Sequence, residues 1–123
     1  MARPLGLHHI TTKELEPIPF VRMAAEAGYD QVSLFTNAPL VPQRGREAMF
    51  AFPTVTPQLQ REMLACLAET GIKVTGAEFF LITPDADLEA YRPGLAVGAA
   101  LGAGHAVTHV FDTDKARAVD KLG

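Results

Sequence analysis

The chain has 123 residues, 48% of them apolar, which is enough for one domain with its own core and excludes global disorder. Eleven basic residues against 14 acidic ones leave a net charge of −3 with neutral histidines, and the lack of a basic tract excludes an advertised nucleic-acid surface. No apolar run reaches the ~18 residues of a membrane span, no secretory signal opens the chain, and a lone cysteine, Cys66, permits no internal disulfide, so a cytoplasmic location is expected.

Leu5-Gly6-Leu7-His8-His9-Ile10, bounded by Pro4 and Thr11, reads as the first strand. Alternation puts Leu5, Leu7 and His9 on one face and Gly6, His8 and Ile10 on the other. Each histidine has a structural reading, one hydrogen bond within the fold, beside a binding or catalytic one. Pro17 or Pro19 opens a helix whose apolar stripe is Phe20, Met23, Ala24 and Ala27, and Gly28 ends it. Gln31–Phe35 is the second strand. The connection from Thr36 to Val55 is longer than most in a compact domain, and such loops often bind ligands. Arg44 and Arg46 lie in it, either as a clamp for an anionic group or as a solvated basic pair.

Thr56-Pro57 starts the second helix as N-cap and first-turn proline. Leu59, Met63, Cys66 and Leu67 form its apolar stripe, so Cys66 reads as a small buried hydrophobe, and Gly71 closes the helix. A buried strand runs from Ile72 to Ile82. Period two sets Ile72, Val74, Gly76, Glu78 and Phe80 on one face, against Lys73, Thr75, Ala77, Phe79 and Leu81. Glu78 is thus a carboxylate inside an apolar run near the strand's C-terminal end, where parallel α/β sheets bind ligands. Gly76 removes bulk beneath it. The alternative is that Glu78 simply reaches solvent.

Thr83 to Asp87 is a turn, and a helix from about Leu88 to Ala103 comes next, with Pro93 breaking or kinking its first part. Its small residues, Gly94, Gly98 and Gly102, suit close packing on a neighbour. His105 to Phe111 is the fourth strand, with His109 on the face of His105, Val107 and Phe111, and Asp112 on the other side. Asp112 or Thr113 then caps a last segment, Asp114 to Leu122. A small-residue helix end, a glycine and a β-branched strand recur at Gly28, Gly71 and Gly104, which are 43 and 33 residues apart. That is the spacing of βα units, and it predicts parallel strands joined by right-handed crossovers. No Walker loop, GxGxxG, HExxH or GxSxG motif is present.

Four stretches carry a resemblance: Ala24-Ala25-Glu26-Ala27-Gly28-Tyr29-Asp30, Leu67-Ala68-Glu69-Thr70-Gly71-Ile72-Lys73-Val74, Gly76-Ala77-Glu78-Phe79, and Phe111-Asp112-Thr113-Asp114-Lys115-Ala116-Arg117-Ala118. In this order and spacing the chain resembles the sugar phosphate isomerase/epimerase family with the xylose-isomerase-like TIM barrel. The resemblance implies an α/β fold of repeated βα units with parallel strands, about half of a TIM (β/α)8 barrel. Residues 1–123 would form a single domain of four such units, apparently truncated after the start of the fourth helix; a complete barrel has eight units and typically ~250 residues.

Family chemistry is metal-assisted proton transfer next to a carbonyl of a sugar or sugar phosphate, with a divalent ion (Mn, Mg, Co or Zn) polarising the substrate oxygens. The family's metal ligands, two Glu, an Asp and a His, come mainly from the second half of the barrel. None maps onto this chain, so no metal is expected in the chain alone. What remains is a substrate-side wall of His9, Glu78, His109 and Asp112, with Arg44 and Arg46 as further binding candidates and no catalytic residue assigned. Glu78 and His109 are expected together at the mouth.

Three readings compete: half of a sugar isomerase or epimerase that is inactive alone, a noncatalytic half-barrel binding or assembly module, and a flavodoxin-like receiver. Strand order 1-2-3-4 marks the half-barrel and 2-1-3-4 the flavodoxin-like sheet. Neither a nucleic-acid nor a membrane partner is expected. Open barrel edges, and inner residues Val74, Phe80, Val107 and Phe111, predict a homodimer or larger assembly that covers them.

Overall fold

The computed structural model describes residues 2–38 and 51–123. The connection after β2 lies largely outside them, and so do both of its arginines, Arg44 and Arg46. Four parallel strands, β1 (Gly6–His8), β2 (Gln31–Phe35), β3 (Lys73–Ile82) and β4 (His105–Val110), form one sheet in the order 1-2-3-4. Helices α1 (Pro17–Glu26), α2 (Gln60–Thr70) and α3 (Arg92–Ala100) connect them, and α4 (Lys115–Leu122) comes after β4. Each strand pairs with its sequence neighbour, as in an arc of a barrel. The flavodoxin-like alternative needs its first strand inside the sheet and is excluded.

The core lies between the sheet and the helices. Phe20, Val21 and Ala24 of α1, Met63, Cys66 and Leu67 of α2, and Val97 of α3 meet Val32, Leu34 and Val74. The buried positions of α1 are Pro17, Phe20, Val21 and Ala24, so its stripe is rotated towards Val21 and away from the expected Ala27. The α2 segment begins one turn later than expected. The Thr56 carbonyl and hydroxyl both accept from the Leu59 N–H, at 3.0 and 3.3 Å, and regular helix starts at Gln60. Gly71 closes α2 at φ 74°, the left-handed region that a residue without a Cβ enters freely.

The expected third helix divides. Leu88–Tyr91 is a 3-10 turn capped by Asp87, whose carboxylate accepts from Glu89 N–H at 3.0 Å. Helix α3 starts at Arg92 with Pro93 in its first turn, where a missing N–H costs nothing. Gly94 and Gly98 set α3 hard against the sheet. A Cβ on Gly98 would stand 2.6 Å from Ala77 Cβ, and one on Gly94 would stand 2.8 Å from the Thr36 carbonyl oxygen.

Simple alternation fails along β3. Its pairing steps from Val32↔Val74 to Ser33↔Gly76, and from Ala77↔Ala106 to Phe80↔Thr108. Each step adds a residue to β3 and rotates the residues beyond it. Ile72 and Val74 therefore join the helix-side core, and Phe80 packs edge-on to Tyr91, 5.6 Å between ring centroids. Gly76, Glu78, Phe79 and Leu81 face the interior of the arc. The expected inner positions of Val74 and Phe80 are thus corrected: both are buried under helices. Phe111, in contrast, is 63% exposed. Among the described residues, no helix is long and apolar enough to cross a membrane.

Candidate functional site

The site forms where β1 stops. After His8 the backbone turns into a 3-10 segment, His9–Thr12, instead of continuing as strand to Ile10. The turn is fixed by the Thr11 hydroxyl, which donates to the His8 carbonyl at 2.8 Å. The His8 ring takes part as well: its Nδ1 accepts from the Ile10 N–H at 3.0 Å. With Nδ1 an acceptor, the proton of the neutral ring sits on Nε2. Nε2 points across β2 and hydrogen-bonds Glu78 Oε1. The ring edge rests on Phe35, with centroids 5.5 Å apart and planes at 75°.

Glu78 is only 7% exposed, deep for a carboxylate. Its backbone is held by the residues just after β2. The Glu78 carbonyl accepts from Thr36 N–H at 2.5 Å and Asn37 N–H at 3.0 Å. Phe79 N–H donates to the Asn37 carbonyl at 3.3 Å, and the Asn37 amide nitrogen donates to the Phe79 carbonyl at 2.9 Å. The Glu78–Phe79 peptide bond is cis. A buried carboxylate whose Oε1 bonds an imidazole N–H is suited to accept hydroxyl protons or to receive a proton from an adjacent ligand. The space at Gly76, where the missing side chain removes bulk beneath Glu78, is filled: the Ser33 hydroxyl lies 2.9 Å from where a Cβ would be.

Of the other candidates, His9 leaves the mouth altogether. It is fully buried, stacks on Phe20 at 4.2 Å, and donates from Nε2 to the Leu15 carbonyl at 2.8 Å. Burial pushes its imidazole below the usual histidine range, and its Nδ1 has no hydrogen-bond partner among the described residues. His8 stands where His9 was expected because Leu7 packs against the helix-side core, so alternation turns His8 inward and His9 towards Phe20. The double His-His followed by Thr11-Thr12, residues prone to side-chain-to-backbone bonds, was the sequence signal for the turn after His8.

His109 shares the interior face with Glu78. It pairs in register with Leu81, and its ring lies 4.5 Å from that of Phe79. Phe79 separates it from the carboxylate. Asp112 is engaged by Arg117, which donates to its two oxygens at 2.6 and 2.7 Å, and it also accepts from Asp114 N–H at 2.9 Å. The guanidinium holds its carboxyl at about 2, below the usual range. The cap of α4 is Asp114, accepting from Arg117 N–H at 3.0 Å, and neither Asp112 nor Thr113 takes that role.

Among the described residues, no three His, Cys, Asp or Glu side chains gather where a metal ion could be held. His8 and Glu78 supply one nitrogen and one carboxylate already bonded to each other, so the divalent ion that the resemblance implies does not fit on these residues alone. A cavity of about 410 Å³ opens at the N-terminal edge of the sheet, beside Leu64, Leu67, Ile72, Lys73 and His105. Its lining, among the described residues, holds no carboxylate, and it lies at the opposite end from the Glu78 site.

No family model matches the chain, and no curated protein matches it. Among solved structures it is similar to the probable 3-DHS dehydratase AsbF involved in petrobactin synthesis from Bacillus anthracis. The TM-score is 0.63 at 17% sequence identity, over 98% of this chain and 46% of that one. At this identity the likeness shows the fold: four βα units matching half of a TIM-barrel-like α/β fold. The chain spans less than half the length of that protein.

Proposed function

We propose that this chain supplies the substrate-binding wall of a sugar or sugar phosphate isomerase/epimerase-like barrel, and that the complete barrel performs proton transfer next to a carbonyl. The observation that carries this reading is the buried Glu78 carboxylate bonded to His8 at the C-terminal mouth of parallel strands, the end at which such barrels hold their active sites. Glu78 accepts hydroxyl protons of the substrate, or the proton beside its carbonyl, and His8 Nε2–H orients the carboxylate by donating to it. The half-barrel fold shared with a protein named as a probable dehydratase supports the setting, not the substrate.

A second reading, a noncatalytic half-barrel that binds and assembles, is favoured by the exposed apolar side chains Val110, Phe111, Val119 and Leu122. Incubation of the chain with a panel of aldoses, ketoses and their phosphates tests the wall, and turnover by the chain's assembly with added divalent metal would exclude the noncatalytic reading. Binding that weakens in Glu78→Gln, without turnover by the chain alone, is the expected result. Absence of any Glu78-dependent binding contradicts the wall, and metal-independent turnover contradicts the division of labour.

A further inference from the structure

Among the described residues the sheet ends on two open strands, β1 and β4, and the uncovered apolar side chains collect at those ends. β4 is exposed at five of its six residues, whereas β2 has none exposed. Eight large apolar side chains are exposed among the described residues, and six of them stand at the two edges. Leu5 and Ile10 flank β1, and Val110, Phe111, Val119 and Leu122 lie in β4, just after it, and on α4. These six are 46–63% exposed, whereas Leu64 and Leu95, on α2 and α3, are 41 and 43% exposed. Single apolar residues scattered over a surface need no explanation, but a set gathered on two strand edges does.

Both edges suit the same neighbour. β1 and β4 run in one direction, so each can take a further parallel strand, and the order 1-2-3-4 makes them the two ends of one arc. One copy spans 46% of the solved chain to which its fold is similar, so two copies hold the eight strands of a complete barrel.

We propose that a second copy of this chain closes the barrel, with β4 of each copy paired in parallel to β1 of the other about a two-fold axis along the barrel. The contact sets one kind of edge against the other and is made twice, so no edge of either copy is left open. Val110, Phe111, Val119 and Leu122 of one copy face the partner's Leu5 and the partner's Ile10 across each joint. The mouth is then shared. All eight strands run one way, so both His8–Glu78 pairs open at the same end. Alignment of the C-terminal ends of the joined strands sets His109 of one copy beside the partner's His8, both turned inward. This goes beyond the substrate-wall reading and does not depend on what the mouth binds.

Light scattering at micromolar concentration tests it with two charge variants and their mixture. The chain should give twice its mass of 13.2 kDa. Leu5→Glu with Ile10→Glu spoils only the β1 edge, and Val119→Glu with Leu122→Glu spoils only the β4 side. Each should weaken the dimer at least about a hundredfold, the scale of two buried apolar side chains, and so run as a monomer. Their mixture should recover a dimer, because one of its two joints sets an intact β4 side against an intact β1 edge. A monomeric wild-type chain overturns the proposal. So does a β1-edge variant that stays dimeric, which means β4 against β4, a mixture of folded variants that stays monomeric, or a mass beyond two copies, which means an open string. A second measurement reads the joint with both edges intact, whatever the charge variants do. A nitroxide on Thr113→Cys in an unlabelled copy should broaden most strongly the amides from Leu5 to Ile10 of an isotope-labelled copy. Strongest broadening in β4 of the labelled copy, or none between copies, overturns the proposal.

Discussion

Gly98→Ala is expected to destabilise the chain by about 1 kcal/mol, against the usual direction of that substitution in a helix. Alanine is favoured over glycine in a helix interior by about 1 kcal/mol. Here the added Cβ would meet Ala77 Cβ at 2.6 Å, whereas carbons in contact settle at about 3.5–4.0 Å. Both atoms are fixed to backbone, one on α3 and one on β3, so no rotamer change relieves the overlap and the helix must lift. Overpacking of this kind costs about 1–3 kcal/mol, which exceeds the propensity gain over most of its range. Gly104 is the control: among the described residues nothing lies within 4 Å of its would-be Cβ, and Gly104→Ala is expected to be neutral or slightly stabilising. Urea unfolding of both variants, together with Ala77→Gly in the Gly98→Ala background, completes the test. Removing the opposing methyl should recover part of the loss, a coupling of about 1 kcal/mol in a double-mutant cycle. A Gly98→Ala chain more stable than wild type, or strictly additive effects in the cycle, would refute close helix–strand contact as the reason for glycine there.

His9 makes stability depend on pH. Its folded-state pKa is lowered chiefly by burial, so the unfolded chain takes up the proton first as pH falls. Stability should be full above about 6.5, the usual histidine value, and decline below it towards the depressed folded value; a His9→Gln chain whose unfolding midpoint falls equally over that window would remove His9 as the cause. Asp112 has the corresponding behaviour at acid pH. Its carboxyl is held at about 2 chiefly by Arg117, so its contribution is present above the ordinary value of 3.8 and is lost as pH falls through about 2. In Arg117→Ala, carbon-detected NMR titration should find the Asp112 carboxyl back near its ordinary value. Light scattering at micromolar concentration should give a mass above the monomer. Among the described residues β1 and β4 each have a free edge, and Val110, Phe111, Val119 and Leu122 are exposed near the β4 side. A clean monomer would contradict assembly through those edges.

The fold was largely legible because its signals are local and repeated. Gly28 and Gly71 both take positive φ at helix ends, and β2 and β3 start just after them, at Gln31 and Lys73. The order 1-2-3-4 came from the βα spacing and the resemblance together. What sequence could not give was phase. Two register shifts in β3 put Val74 and Phe80 under the helices while keeping Glu78 inside, and such bulges depend on pairing with β2 and β4, not on β3 itself. Ser33 filling the space at Gly76 is likewise a cross-strand fact.

The site shows the same division. Glu78 was identifiable as a charged residue in an apolar run, and His109 from strand period. His8 and His9 exchanged roles because the face that His9 shares with Leu7 is the helix-side core, which leaves the interior to His8. The Asp112–Arg117 pair was hidden because it depends on the turn into α4, across five positions whose residue types point to capping alone.

The most direct measurement of the central claim is a sugar titration followed by NMR of labelled histidine rings and the Glu78 side-chain carboxyl. Ligand binding at the mouth should shift the His8 Nε2 and Glu78 carboxyl resonances together, with His109 moving in step and buried His9 unmoved. Shifts confined to His105 and the methyls of Leu64 and Leu67, at the far edge of the sheet, would place the ligand in the opposite cavity and contradict the His8–Glu78 pair as the binding centre.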